Sequence, residues 1–315
     1  MRGTAAQVAR RASARPLRAV TDPQYRSGVV ALAGRPNVGK STLVNALVGE
    51  HVATVSATPQ TTRRRALGVV SRPGYQLILA DLPGFQKPFD RLTERMQRAV
   101  DAALADADAT VLMLDGRVPI GPGDRYIAER LLRQGSAPCI VAVNKTDGLG
   151  DRVLPALAAA AALGEARSIH PVSALKGDGV EALLADLVEL LPTGPAYFPD
   201  GVTTDQPLEH RIAELVREQA LGLTRDEVPH AVAVEVDEVR AKRGARTVVE
   251  VRLICETESQ KGILVGRGGA MVKAIGTAAR PGVEALLGAD VYLEIRVRVR
   301  PHWRRDSAAL DRLGV

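Results

Sequence analysis

Eight consecutive residues near the start of the chain carry the clearest chemistry: Gly34-Arg35-Pro36-Asn37-Val38-Gly39-Lys40-Ser41. Glycines let a backbone wrap tightly, so that consecutive N–H groups, those of Asn37, Val38 and Gly39 among them, point at phosphate oxygens. An apolar stretch, Gly28–Ala33, precedes the run, and a helix-length segment, Lys40–Gly49, follows it. The helix N-terminus adds favourable partial positive charge. In that setting Lys40 reaches the β- and γ-phosphates, the Ser41 hydroxyl ligates Mg²⁺, and Thr42 joins the phosphate-binding set. The alternative, an ordinary glycine-rich turn, is disfavoured because strand and helix are both in place.

Three more short strings follow in the order a guanine nucleotide pocket requires. Asp81-Leu82-Pro83-Gly84 comes directly after the apolar run Gln76–Ala80. A carboxylate at Asp81 can hold Mg²⁺ through water, and the Gly84 N–H can sense a γ-phosphate. Asn144-Lys145-Thr146-Asp147 follows the run Cys139–Val143. Guanine presents an N1–H and an N2 amine side by side, and the Asp147 carboxylate can accept from both. Asn144 would tie this loop to the phosphate loop, while the Lys145 stem covers the base. Ser173-Ala174-Leu175-Lys176 follows Ile169–Val172 and can offer a backbone N–H to the guanine carbonyl. Alone, each string reads as a surface loop; the ordered set is specific for guanine over adenine.

The elements that must position these loops are strands alternating with helices. Gly28–Ala33, Gln76–Ala80, Ala109–Leu114 and Cys139–Val143 are continuous apolar runs, as strands buried on both faces should be. Between and beyond them lie helical segments Lys40–Gly49, Arg91–Asp106, Gly123–Gln134 and Val180–Leu191. The pattern predicts an α/β P-loop domain with a doubly wound, mostly parallel sheet. Pro192-Thr193-Gly194-Pro195 is the linker candidate. The expected organisation is a basic, disordered extension over 1–26, a nucleotide domain over 27–195 and a second domain over 196–315.

The second domain changes texture. An amphipathic helix, Leu208–Leu221, precedes two alternating strands, two helical stretches around Gly266–Gly269 and an alternating strand Val291–Val299. That α-β-β-α-α-β order, with Gly266-Arg267-Gly268-Gly269 between helices, predicts an α+β type II KH domain that clamps single-stranded RNA. Missing side chains at Gly266 and Gly269 allow close backbone approach, Gly268 stands between them in the RNA-binding set, and Lys261, Arg267 and Lys273 supply charge. Arg296, Arg298 and Arg300 share one face of the last strand, where solvation is the competing explanation. For Trp303, packing of the C-terminal helix is favoured over base stacking.

Composition sets the outer limits. The chain has 315 residues, 46% hydrophobic and 25% charged, which suits a two-domain, core-forming protein and excludes global disorder. No run of 18 apolar residues marks a membrane-spanning helix. The two cysteines, Cys139 and Cys255, lie in apolar runs and read as buried thiols of a reducing compartment. The net charge of +6 is less informative than its placement. Between Arg252 and Arg305 stand ten basic and five acidic residues, a local excess that suits a polyanion.

Together these residues resemble the translation-factor class of P-loop GTPases, and the pairing with a KH domain resembles the Era family of ribosome-assembly GTPases. The resemblance runs from about Val29 to the C-terminus. It implies a GTP-hydrolysing switch that binds GTP and GDP, Mg²⁺, the 3′ end of small-subunit ribosomal RNA and the assembling small ribosomal subunit. It also implies that Thr58-Pro59-Gln60-Thr61-Thr62-Arg63 is the effector loop, with Thr62 on Mg²⁺ and Thr61 as the alternative. Phe85 stands where many GTPases carry a water-orienting Gln, so turnover without a helper should be slow. The resemblance further implies that Asn37 helps hold K⁺, against loop-internal hydrogen bonding. Lys40, Asn37, Thr62 and Gly84 are then the catalytic set. A monomer is expected in the cytoplasm, with peripheral docking at the inner face of the cell membrane left open. Two other functions compete: an RNA scaffold carrying GTP structurally, and a tRNA-modification GTPase. The intact Mg²⁺ apparatus weighs against the first, and the lack of a C-terminal reactive Cys against the second.

Overall fold

The computed structural model describes residues 24–55, 62–63, 65–85, 90–225, 228–240 and 246–313. Residues 1–23 of the basic extension and 58–61 of the effector loop lie outside these. The chain divides into two compact units. One comprises residues up to Ala53, Thr62–Lys87 and Met96–Asp205; the other comprises Gln206–Val315 with the short segments Thr54–Thr61 and Pro88–Arg95.

In the first unit a six-stranded sheet runs in the order β2-β3-β1-β4-β5-β6. Its strands are β1 (Arg26–Gly34), β2 (Ala66–Arg72), β3 (Tyr75–Asp81), β4 (Ala109–Asp115), β5 (Cys139–Asn144) and β6 (Ile169–Pro171). All pairs are parallel except β2 with β3. Helices α1 (Lys40–Val48), α2 (Arg91–Ala105, of which Met96 onward belongs to this unit), α3 (Pro122–Ala128), α4 (Val153–Ala161) and α5 (Val180–Leu190) complete the alternation. Two apolar clusters, one on each side of the sheet, contain inward residues such as Leu32, Leu79 and Ile140, and Ala33, Leu112 and Val141. That double burial is why the central strands read as unbroken apolar runs.

Two expected boundaries shift. Arg26, placed with the basic extension, begins β1, its N–H donating to Gly74 O at 3.0 Å. The linker does not release the chain at Pro195. Gln76 is fully buried in mid-strand, where its amide group needs partners. Its Oε1 accepts from Tyr197 N at 2.7 Å and Phe198 N at 2.9 Å, and its Nε2 donates to Phe198 O at 2.9 Å. Further on, Val69 N donates to Thr203 O and Leu67 N to the Asp205 carboxylate. The first unit therefore extends to Asp205 rather than 195.

The second unit holds a three-stranded sheet, β7-β8-β9, from Ala233–Arg240, Thr247–Cys255 and Val291–Val299. β7 and β8 are antiparallel, with an irregularity between Val236 and Glu238, and β8 and β9 are parallel. Helices α6 (Leu208–Leu223), α7 (Val228–Ala231), α8 (Glu258–Val265), α9 (Ala270–Leu287) and α10 (Ser307–Leu313) accompany it. A separate core gathers Ile212, Val216, Val251, Leu264, Ile275 and Val283. Trp303 is buried and donates from Nε1 to Ala231 O at 2.9 Å, which is a packing role.

Candidate functional site

The phosphate loop joins the end of β1 to α1. Its tight path depends on Gly39, whose φ of 105° lies in the left-handed region and whose missing side chain makes room for the Asn144 amide. Asn37 also has a positive φ, 63°. Lys40 is buried and donates from Nζ to Gly34 O at 3.1 Å and Arg35 O at 3.0 Å, so its ammonium lies inside the loop's curve. Burial lowers its pKa to about 8, opposed by the neighbouring Asp81. Thr42 is half-buried in the first turn of α1.

The three residues expected to hold Mg²⁺ are brought together. Ser41 Oγ donates to Asp81 Oδ2 at 2.7 Å and lies 3.1 Å from Thr62 Oγ1, which itself donates to Asp81 Oδ2 at 3.3 Å. Asp81 is fully buried at the end of β3, and its Oδ1 has no hydrogen-bond partner among the described residues. Desolvation by burial raises its pKa, against the hydrogen bond from Ser41 and the charge of Lys40. A buried carboxylate oxygen without a donor is costly unless a cation or its water ligand approaches. Two hydroxyls and a carboxylate are hard oxygen donors, the set that suits Mg²⁺. Gly84 abuts the loop so closely that a Cβ there would lie 2.8 Å from the Pro36 side chain.

The residues expected to recognise the base assemble at the ends of β5 and β6. Asn144 Nδ2 donates to Val38 O at 2.7 Å, and its Oδ1 accepts from Ala174 N at 2.9 Å. One buried amide thus ties the phosphate loop to both base loops. Lys145, in a left-handed conformation with φ 67°, donates from Nζ to Asn37 O at 2.5 Å and to Asp115 Oδ2 at 2.7 Å. The Asp147 carboxylate accepts from Ser173 Oγ at 2.7 Å, and this bond lowers its pKa and keeps it charged. Leu175 is exposed beside it. Asp115 lies outside the nucleotide motifs, although the register places it opposite Asn144. An acidic residue ending an apolar parallel strand, at the edge where such sheets bind ligands, was the available signal.

In the second unit, α8 begins with a capping box: Gln260 N donates to Thr257 Oγ1, and Gln260 Oε1 accepts from Thr257 N, both at 3.2 Å. It ends at Gly266, φ 72°, where a Cβ would meet Met271 N at 2.7 Å. Gly268 and Gly269, φ 59° and 83°, have nothing within 4 Å of a hypothetical Cβ. The turn is therefore open to a backbone from outside. Arg267 and Lys273 are exposed beside it, and Lys261 pairs with Glu258 at 3.3 Å. On β9, Arg296 is paired with Glu294, and Arg300 with Asp306 just beyond the strand. Arg296 and Arg300, the latter one residue past the strand, are thus locally neutralised, while Arg298 is exposed.

A phosphate loop, a hydroxyl–carboxylate cation site and an Asn-Lys-Thr-Asp base loop define a guanine-nucleotide-binding P-loop protein joined to a KH module. Residues 29–145 match the family described as 50S ribosome-binding GTPase, and residues 227–304 match the KH domain family. The chain is 46% identical over 297 residues to GTPase Era of Mycobacterium tuberculosis strain H37Rv, spanning 92% of this chain and 99% of the relative. It is 45% identical to GTPase Era of Mycobacterium avium strain 104 with the same coverage. Among solved structures it is similar to Era in complex with MgGDPNP and nucleotides 1506–1542 of 16S ribosomal RNA, with a TM-score of 0.87 and 37% identity over 92% of this chain and 99% of that one. It is also similar to an Aquifex aeolicus Era variant bound to GDP and aluminium fluoride, with a TM-score of 0.88, 37% identity and the same coverage. The chain belongs to the Era family of GTPases.

Proposed function

We propose that the chain hydrolyses GTP to GDP and phosphate as a switch that governs its grip on 16S ribosomal RNA during small-subunit assembly. The observation that carries this reading is the convergence of Ser41, Thr62 and the unpartnered Asp81 oxygen under the phosphate loop, in a chain that also presents an open Gly-x-x-Gly turn. A protein carrying GTP only as a structural plug has no need of that cation apparatus.

In this reading the N–H groups of Asn37, Val38 and Gly39 and the Lys40 ammonium hold the phosphates, with Gly34 and Thr42 completing the cradle. Ser41 and Thr62 would ligate Mg²⁺, with Asp81 holding it through water, and the ion would supply charge neutralisation at the phosphate oxygens. Asp147 pairs with the guanine edge, Lys145 covers its face, and Ser173, Ala174 and Leu175 close the pocket. Phe85 is 8% exposed and has no group that could orient or deprotonate water. Positioning by Gly84 and charge compensation must then supply the rate, with K⁺ beside Asn37 as the proposed compensating charge. Single-turnover hydrolysis in KCl should exceed that in NaCl; equal rates would remove K⁺ from the reading.

For the RNA, Gly266 to Gly269 would clamp the backbone while Lys261, Arg267 and Lys273 contact phosphates. Crosslinking to total cellular RNA in the GTP- and GDP-bound states should enrich the 3′ region of 16S RNA. A folded Gly266→Asp, Gly269→Asp variant should lose it. Absence of phosphate release with Mg²⁺, K⁺ and RNA present would favour the scaffold alternative. A cytoplasmic monomer is the proposed state, with flotation on anionic vesicles as the check for a peripheral membrane fraction.

A further inference from the structure

Phe85 directly follows Gly84, and its ring is packed in the same apolar cluster as Ile127, Ala128 and Leu131. Over that ring stands the Arg130 guanidinium, 5.5 Å from the centroid. Arg130 belongs to a π-helical turn, Glu129–Arg133, that prolongs α3. Such turns re-aim side chains and occur often at functional positions. The guanidinium is held in place, with Nη2 donating to Asp101 Oδ1 at 2.9 Å.

The other end of the same helical rod is fixed to the phosphate loop. Asp124, 2% exposed, accepts from Arg35 Nε at 2.9 Å and from Gly121 N at 2.9 Å. Gly123 leaves space for the arginine stem, since a Cβ there would lie 3.0 Å from Arg35 Cδ. One rod is thus pinned to the loop that holds the phosphates and, six residues on, lies under the residue that follows Gly84. Gly84 in turn rests on Pro36 of that loop.

Resting on the GTPase reading above, we propose that Arg130 is a positioning residue for hydrolysis. It clamps Phe85 to a rod registered on the phosphate loop and thereby holds the Gly84 N–H where the γ-phosphate is expected. A cation over an aromatic face does this without any contact to the nucleotide. The pair replaces the steering that a glutamine at position 85 would provide with mechanical placement of the residue before it.

The test uses the full chain and single-turnover hydrolysis with Mg²⁺, alongside affinities for GDP and a non-hydrolysable GTP analogue. Arg130→Ala should slow hydrolysis about 2- to 5-fold, the range a partly exposed cation–π pair supports. It should weaken the GTP analogue and leave GDP affinity unchanged, because only the triphosphate meets Gly84. Arg130→Lys keeps a cation over the ring and should recover most of the rate. In a Phe85→Leu background, adding Arg130→Ala should change the rate by less than about 1.5-fold, since the coupling is already gone. An Arg130→Ala rate equal to or above wild type, a lysine variant as slow as alanine, or effects that multiply independently would each overturn the proposal. Wild-type protein that hydrolyses no GTP would instead sink the GTPase reading, so the two failures are distinct.

Discussion

Burial works to raise the Asp115 carboxyl, but hydrogen bonds from Arg117 and Lys145 outweigh it and hold its pKa at about 2. The folded value lies below the unfolded value of about 3.9, so its stabilisation is complete above about pH 4 and lost as pH falls toward 2. Asp115→Asn should therefore cost about 1–2 kcal/mol at pH 7 and flatten the acid limb of stability in that window. Denaturant titrations from pH 2 to 7 check it; an unaltered acid limb contradicts it. The same variant should weaken guanine nucleotides, because Lys145 loses its anchor beside the base. Asp147 carries the opposite kind of consequence, specificity without stability. Asp147→Asn puts an amide where two donors must be accepted and should lower GTP affinity at least about 100-fold while admitting xanthosine triphosphate, whose edge carries an extra carbonyl. Competition binding of the two nucleotides decides that, and retention of GTP preference would refute the base-pairing role.

At the scale of elements, the loops that touch nucleotide are those most legible in the sequence. Their chemistry demands particular residue types at strand ends, so Gly39, Lys40, Asp81, Asn144 and Asp147 stand out by type and spacing. What holds them does not. Asp115, Asp124 and Arg130 each reach a partner far away in sequence, Lys145, Arg35 and Phe85 respectively, and no local pattern announces such pairs. β2 is also hard to read from the sequence, because Gly68 interrupts its short apolar run. That glycine is there for packing: a Cβ would lie 2.8 Å from side chains of both Val44 and Val48 on α1. Gly39 makes the strongest element-level prediction. Gly39→Ala forces a side chain into left-handed backbone and into the Asn144 amide. It should abolish GTP and GDP binding while leaving the melting of the second unit in place, as calorimetry can show. Nucleotide binding at wild-type strength would mean that the loop is not the phosphate seat. In the second unit, Thr257→Ala removes the cap on α8 and should cost about 1 kcal/mol, read as a lower denaturant midpoint.

For the molecule as a whole, two separate cores mean that ligands should act on them selectively. Mg²⁺ with GTP analogue at 100 times its dissociation constant should stabilise the first unit by about 2.7 kcal/mol, and cognate RNA should stabilise the second. Scanning calorimetry with each ligand alone tests this; a single transition moved equally by both would count against selective action. The span after Pro195 has a further consequence. β2 is the outer strand of its sheet, and the stretch around Thr203–Asp205 occupies part of its open side through Val69 N and the bridge between Gly68 and Thr204. Uncovered strand edges recruit other chains. A nucleotide-domain fragment ended at residue 195 would bare that row of amides and carbonyls and self-associate in size-exclusion runs. One ended at 205 would carry its own guard against aggregation.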